Sequence, residues 1–134
     1  TDRPFRKMVK KFGASLLVSE MIASRAMIMQ TRESMMKTQT SEHEDMTSVQ
    51  LAGNEPDVMA EAAKLNEDMG AKIIDINFGC PVKKVVSKGA GAGILKDIPL
   101  MVKLSEAMVK HTKLPVTVKK LRTLFTRKTK STGF

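Results

Sequence analysis

The sequence has little of what stabilises small secreted proteins or anchors membrane proteins. It contains one cysteine in 134 residues, which excludes an internal disulfide and a zinc site built from several cysteines. No apolar run approaches the roughly 18 residues that a membrane span needs, and the first residues, Thr1 to Pro4, do not form a signal peptide. We therefore expect a cytoplasmic chain. With 42% hydrophobic and 28% charged residues, its composition is that of a globular domain rather than a disordered segment.

Aromatic side chains are scarce, and acidic side chains are scarce at both ends of the chain. All five aromatics are phenylalanine. Residues 1–12 carry five cations against one acid, and residues 116–134 carry six cations and no acid, within an overall net charge of +9. Two basic ends favour a polyanion partner such as RNA, because clustered cations gain free energy from counterion release. A solvated helix face and an unstructured tail explain the same charges equally well.

Short apolar segments alternate with helix-like stripes along most of the chain. The stripe of Phe5, Met8, Val9 and Phe12 predicts a helix that ends at Gly13, and Asn54 is a candidate cap for a helix ending near Gly70. A third helix is predicted at residues 97–111, and residues 23–46 permit one or two more before a polar loop. The predicted strands cover residues 16–18, 49–51, 73–76 and 116–118. This alternation predicts an α/β fold of parallel βαβ units covered by helices.

Polar or reactive residues stand near the carboxyl ends of all four predicted strands. Glu20 follows the first, Gln50 lies in the second, Asn77 and Cys80 follow the third, and Lys119 closes the fourth. In parallel α/β folds the loops at this edge converge over the strand ends, so ligands bind there. The pattern predicts a site at this edge, although Gln50 bonded to a neighbouring backbone and Lys119 beginning a basic tail would have the same sequence.

Cys80 is the sharpest single candidate for chemistry. It lies in a Gly-Cys-Pro turn close to three lysines, where a cysteine can transfer a proton, whereas most cysteines are buried and inert. The glycines between Gly89 and Gly93 lack the spacing of a dinucleotide-binding loop and instead predict backbone clearance, either for close packing or for a substrate. The acidic stretch around His43 is interpreted as solvated surface, so no metal site is predicted.

The segment of residues 75–85, DINFGCPVKKV, resembles the signature of the tRNA-dihydrouridine synthases. The segments TDRPFR at residues 1–6, SEMI at 19–22, VQLAG at 49–53, GAG at 89–91 and PVTVK at 115–119 follow in that family's order. The resemblance covers roughly residues 1–119. It implies a partial (β/α)₈ TIM barrel that binds FMN, in which residues 1–119 are the catalytic domain and residues 120–134 a basic, poorly structured tail.

The resemblance also implies a reaction and a role for each candidate residue. These flavin oxidoreductases reduce a uridine of tRNA to 5,6-dihydrouridine, with NADPH as the reductant. Gln50 and Lys119 would contact FMN, Asn77 would bind the uracil, and Cys80 would be the general acid. Hydride addition at C6 of uracil builds negative charge at C5, which is why a positioned proton donor is needed.

The sequence departs from the family at both ends, and these departures leave other interpretations open. The strand expected before Thr1 is absent, and after Lys119 the family pattern stops. A full barrel needs about 250 residues, so we expect the chain to be a fragment, about half a barrel, whose open edges favour aggregation. One alternative is another flavin barrel that acts on free pyrimidines. A second is a non-catalytic RNA-binding or assembly fragment.

Overall fold

Helices and parallel strands alternate in the computed structural model, which describes residues 1–38 and 47–120. The strands are β1 Leu17–Val18, β2 Ile22–Ala23, β3 Thr47–Ala52, β4 Ile73–Phe78 and β5 Val116–Lys120. The helices are α1 Arg3–Lys11, α2 Ser24–Ile28, α3 Arg32–Thr38, α4 Pro56–Asp68, α5 Lys83–Val86 and α6 Ile98–His111, with a 3₁₀ helix at Gly91–Lys96 between the last two. Residues 121–134 of the predicted basic tail, which was assigned to residues 120–134, and the acidic stretch around His43 lie outside the described residues.

The strands form one parallel sheet in the order β1-β3-β4-β5. Leu17 of β1 pairs with Thr47 of β3, and Ile22 of β2 pairs with Leu51 further along the same strand. The two short strands therefore occupy a single position in the sheet, interrupted at residues 19–21. The sheet thus has four parallel strand positions, which confirms the predicted half of a (β/α)₈ barrel. The sequence pattern predicted β1 but missed β2.

One face of the sheet is apolar and packs against α4 and α6. The residues at the centre of this core are fully buried: Leu51, Met59, Ala62, Ala63, Ile74, Ile76, Leu104 and Met108. Burying one such large side chain contributes about 1.5–3 kcal/mol, so this layer supplies most of the stability of the sheet. At the helix ends the Thr112 hydroxyl donates to the Glu67 carboxylate over 2.9 Å and holds the pKa of Glu67 below its usual range.

The helix ends follow the predicted signals, with one exception. The Asp97 side chain accepts from the Leu100 backbone N–H and caps α6, for which the sequence pattern predicted a helix at residues 97–111 but no cap. Asn54 is not the cap of α4: that helix begins at Pro56, after Glu55, because proline occupies the first turn. The Asn54 side chain instead donates to the Lys88 carbonyl over 2.9 Å and joins two loops.

The helix predicted from Phe5, Met8, Val9 and Phe12 is present as α1, but much of its apolar stripe is solvent-exposed. Phe12 is 86% exposed, and Arg6 is the buried side chain of the helix. The Arg6 guanidinium donates to the Thr1 carbonyl over 2.6 Å. At the opposite end of the sheet, Val118 of β5 is also exposed. Within the described residues, apolar surface is therefore left open beside both edge strands.

No helix among residues 1–38 and 47–120 is long and apolar enough to cross a membrane.

β5 extends to Lys120, one residue beyond the predicted boundary of the barrel segment at residue 119.

We expect Leu104→Ala to lower the free energy of unfolding by about 2–5 kcal/mol, because it leaves a cavity between α6 and the sheet. Val109→Ala on the same helix is the matched control, since Val109 is 60% exposed and its truncation should cost less than about 0.5 kcal/mol. Urea unfolding followed by circular dichroism measures both. Equal effects of the two substitutions would contradict the packing of α6 described above.

Candidate active site

The second face of the sheet is polar in its carboxyl-terminal half. Strand alternation places Gln50 of β3, Asp75 and Asn77 of β4, and Thr117 and Lys119 of β5 on this face. Gln50 pairs with Asp75 and Asp75 with Thr117, which forms one row across three strands. Asn77 pairs with Lys119 in the next row towards the strand ends. Adjacent parallel strands lie about 4.8 Å apart, so the rows bring these side chains together.

The Asp75 carboxylate joins its two neighbours in the first row. One carboxylate oxygen accepts from the Gln50 amide Nε2, and the other accepts from the Thr117 hydroxyl, both over 2.6 Å. Asp75 is only 8% exposed. A buried carboxylate is costly unless it is hydrogen-bonded, and these two bonds supply part of that compensation.

The Asn77 side chain connects this row to the loop that carries Cys80. Its Nδ2 donates to Gln50 Oε1 over 2.8 Å, and its Oδ1 accepts from the backbone N–H groups of Gly79 and Cys80 over 3.0 and 2.8 Å. An ionised carboxylate only accepts, so Asp75 fixes which end of the Gln50 amide faces it, and Gln50 in turn orients Asn77. The network therefore runs from β5 to the Cys80 backbone with every amide in a defined orientation.

Cys80 is half-buried at the start of the loop between β4 and α5. Its carbonyl accepts from the Ala92 N–H over 3.0 Å. Gly91 has a φ of +57°, and a Cβ there would lie 2.8 Å from the Cys80 carbonyl oxygen. A side chain at this position would push the loop away, which confirms the close backbone packing predicted for the glycine-rich run.

The predicted site residues differ in how closely they associate. Gln50, Asn77 and the Cys80 backbone are joined directly, and Lys119 lies beside Asn77 on the neighbouring strand with its side chain exposed. Glu20 is exposed, and it is Ser19 that reaches the network: the Ser19 hydroxyl accepts from the Gln50 backbone N–H over 3.0 Å and donates to the Glu20 carbonyl.

Sequence reasoning missed Asp75, Thr117 and Ser19 as members of the site. The sequence pattern predicted site residues at the ends of the strands, whereas Asp75 and Thr117 lie inside them. The available signal was the period-two alternation of Asp75 with Asn77 and of Thr117 with Lys119, which places all four on one face. Within the part of the chain that the structure describes, no three His, Cys, Asp or Glu side chains are grouped to hold a metal ion.

Comparisons with known proteins place this arrangement in a family. The family model described as dihydrouridine synthase matches residues 1–131. A probable tRNA-dihydrouridine synthase of Rickettsia prowazekii is 65% identical over 121 residues, which are 89% of this chain and 37% of that protein. The corresponding protein of Rickettsia bellii is 60% identical with the same coverage, and tRNA-dihydrouridine synthase B of Pseudomonas aeruginosa is 43% identical over 119 residues, 36% of its length.

The chain therefore spans a little more than a third of the length of these curated relatives. The match over 131 of its residues nevertheless includes every strand of the sheet, the Asp75–Asn77–Cys80 segment and the glycine-rich run. On this evidence, the chain belongs to the dihydrouridine synthase family.

Proposed function

We propose that this chain carries the catalytic cysteine and part of the flavin site of a tRNA-dihydrouridine synthase, which reduces uridine in tRNA to 5,6-dihydrouridine with FMN and NADPH. The observation that supports this most is the hydrogen bond that the Cys80 backbone N–H donates to Asn77 Oδ1, because it links the polar face of the sheet to the loop that carries the cysteine. The family match favours this reaction over that of a flavin barrel acting on free pyrimidines.

The side chains on the polar face fit a flavin by their chemistry. The edge of an isoalloxazine ring presents carbonyl oxygens and ring nitrogens, which need amide donors, amide acceptors and a cation. Gln50 offers an oriented amide and Lys119 an exposed ammonium group on the same face of the sheet. These two residues would hold FMN, which supplies a hydride to C6 of uracil when it is bound.

Cys80 would complete the reduction as the general acid. Saturation of the C5–C6 bond of uracil requires one hydride at C6 and one proton at C5. The Cys80 S–H bond breaks as the new C5–H bond forms, and the thiolate that remains takes up a proton from solvent before the next turnover. The hydrogen bonds to Asn77 and Ala92 hold the Cys80 backbone on both sides, so the donor is positioned before the substrate arrives.

Asn77 would bind the substrate as a hydrogen-bond donor. Each side-chain amide nitrogen carries two N–H groups, and one of those on Asn77 bonds Gln50. The second is the group proposed to bond a uracil carbonyl. The Asn77 side-chain oxygen already accepts hydrogen bonds from the Gly79 and Cys80 backbone N–H groups, so Asn77 can bind the base only as a donor.

The tRNA partner is supported by cations that remain exposed on the surface. Arg3, Lys7 and Lys11 are exposed on α1, whereas Arg6 of the same basic segment is buried and unavailable to a phosphate. The base must leave its stack to reach Cys80, and exposed cations on the protein favour association with the negatively charged backbone of the RNA.

The flavin assignment predicts that Gln50→Ala and Lys119→Ala each weaken FMN binding by about tenfold, since each removes one polar contact worth about 1.4 kcal/mol. Titration of the purified chain with FMN, followed by absorbance near the flavin band and by fluorescence, measures this. Lys113→Ala is the control, because Lys113 is exposed in the turn before β5. Unchanged FMN affinity in both site variants would contradict the assignment.

The acid assignment predicts that Cys80→Ala lowers dihydrouridine formation in tRNA by about 10²–10⁴-fold, because the proton donor is lost. Its FMN affinity should equal that of the unmodified chain, since the network reaches the Cys80 backbone and not its side chain. Mass spectrometry of nucleosides from treated tRNA measures the product. A Cys80→Ala protein that forms dihydrouridine at the unmodified rate would refute the role.

Asp75 is expected to act as a positioning residue. Asp75→Asn replaces one of the two accepting oxygens with an NH2 group, which leaves either the Gln50 or the Thr117 bond without its acceptor, and should cost about 1–3 kcal/mol of unfolding free energy. It should also speed hydrogen exchange at the Cys80 amide. Asp68→Asn is the control, because Asp68 is exposed and pairs with Lys64 at the surface, where ion pairs contribute less than about 1 kcal/mol. Unaltered exchange at Cys80 in Asp75→Asn would contradict the positioning role.

A further inference from the structure

A cleft of about 570 Å³ opens beside the Cys80 loop, between the segments that follow β2, β3 and β4. It is lined by Met21, Ala23, Ser24, Arg25, Ala52, Gly53, Asn54, Glu55, Lys84, Val85, Lys88 and Ala90. Gln50, Asn77, Cys80 and Lys119 are not part of this lining. The cleft is therefore offset from these four residues along the same face of the sheet, because Ala52 lies two residues beyond Gln50 on β3.

The cleft exists because small residues line it. Ala23, Ala52 and Ala90 leave room above the ends of β2 and β3, and the remaining wall includes Val85. A Cβ at Gly53 would lie 2.2 Å from Ser24 Oγ and 2.8 Å from Met59 Sδ, so a larger residue could not pack there. A mostly apolar cleft of this volume accommodates a flat ring system of small-ligand size.

The rim of the cleft has an excess of positive charge. It carries Arg25, Lys84 and Lys88 against a single acid, Glu55. Arg25 and Glu55 neutralise each other in a two-point ion pair. The two exposed lysines therefore account for the net charge, and the amino-terminal end of α4, which follows Glu55, adds its partial positive charge on the same side.

The loop that carries the lysines is held in place. The Asn54 side chain donates to the Lys88 carbonyl over 2.9 Å, and Gly89 continues the chain with a φ of +71°. The same loop continues through Ala90 in the cleft wall to Gly91, which packs against the Cys80 carbonyl. A ligand in the cleft would therefore lie next to the segment that presents Cys80.

We propose that this cleft binds one nucleotide of the RNA substrate next to the uridine that is reduced, with its base against the alanines and its phosphate between Lys84 and Lys88. The proposal rests on the proposed function, because that function supplies the RNA. The apolar floor of the cleft suits the base of a nucleotide, and the two lysines above it suit the phosphate. The cleft wall and Cys80 belong to one continuous segment of the chain, so a nucleotide in the cleft and a uridine at Cys80 would be neighbours on the same RNA strand.

The test is binding of a short fluorescein-labelled oligouridylate to the purified chain, measured by fluorescence anisotropy at several salt concentrations. Lys84→Ala with Lys88→Ala should weaken binding by about tenfold and reduce the slope of log K against log salt by about 1.4. The control pair, Lys103→Ala with Lys110→Ala, removes two exposed lysines of α6 and should change neither value. Equal losses in both pairs would overturn the proposal in favour of unspecific attraction.

A second measurement tests the base-binding part independently of charge. Nuclear magnetic resonance titration with uridine 5′-monophosphate should shift the amides of Ala23, Gly53 and Ala90, and Ala23→Trp should abolish these shifts by filling the cleft. Val109→Trp, at an exposed position of α6, is the control. Inorganic phosphate binding as tightly as the nucleotide, or nucleotide shifts confined to other residues, would overturn the proposal.

The same variants separate this proposal from the flavin and acid assignments. Lys84→Ala with Lys88→Ala should bind FMN as the unmodified chain does, because neither lysine lies on the polar face of the sheet. A chain that binds the nucleotide in the cleft but takes up no FMN would support the cleft and refute the proposed function. A chain that takes up FMN while the cleft binds no nucleotide would refute the cleft proposal and leave the proposed function supported.

Discussion

The carboxylate of Asp75 lies between two strands and accepts a hydrogen bond from a side chain on each of them. This one group sets the orientation of the Gln50 amide, Gln50 sets that of Asn77, and Asn77 holds the backbone of Cys80. The order depends on register: Gln50, Asp75 and Thr117 are paired across β3, β4 and β5, so a slip of one residue would turn them to the opposite face. The register of the strand pairing therefore also determines the geometry of the candidate site.

The sheet separates stability from chemistry by using its two faces differently. The face that packs on α4 and α6 carries Leu51, Ile74 and Ile76 and excludes water. The opposite face carries the polar rows, and its side chains need hydrogen-bond partners to be buried at all. Each strand supplies both faces by simple alternation, so the same six residues of β4 hold the core and position Cys80. The matched segment is 37% of the length of the Rickettsia prowazekii relative, which is therefore about two and a half times as long as this chain. In a closed barrel the polar face would point to the interior.

Much of this arrangement follows from the sequence, and the exceptions have physical reasons. Apolar runs and stripes predicted the parallel strands and the long helices, because burial on α4 and α6 demands that pattern. The pattern could not show that Arg6 is buried while Phe12 is exposed, since α1 lies beside an edge of the sheet rather than over its centre. It assigned Asn54 to a helix cap, where Pro56 decided the start of α4 instead. Gln50, Asn77 and Cys80 were found from their positions at strand ends, whereas Asp75 and Thr117 required the register between strands, which only the structure supplies.

The loop after β4 brings the separate features of the site together. It begins with Cys80, whose N–H is held by Asn77, and it carries Lys84 and Lys88 on the rim of the cleft before Gly91 returns the chain to the Cys80 carbonyl. Both ends of this loop are fixed, one by the polar row and the other by a glycine that admits no side chain. A nucleotide held by the lysines would therefore have a fixed relation to the thiol group. Lys84 and Lys88 line the cleft and take no part in the hydrogen bonds that hold the Cys80 backbone to Asn77 and Ala92, so substitutions of these lysines are expected to leave the Cys80 backbone in place.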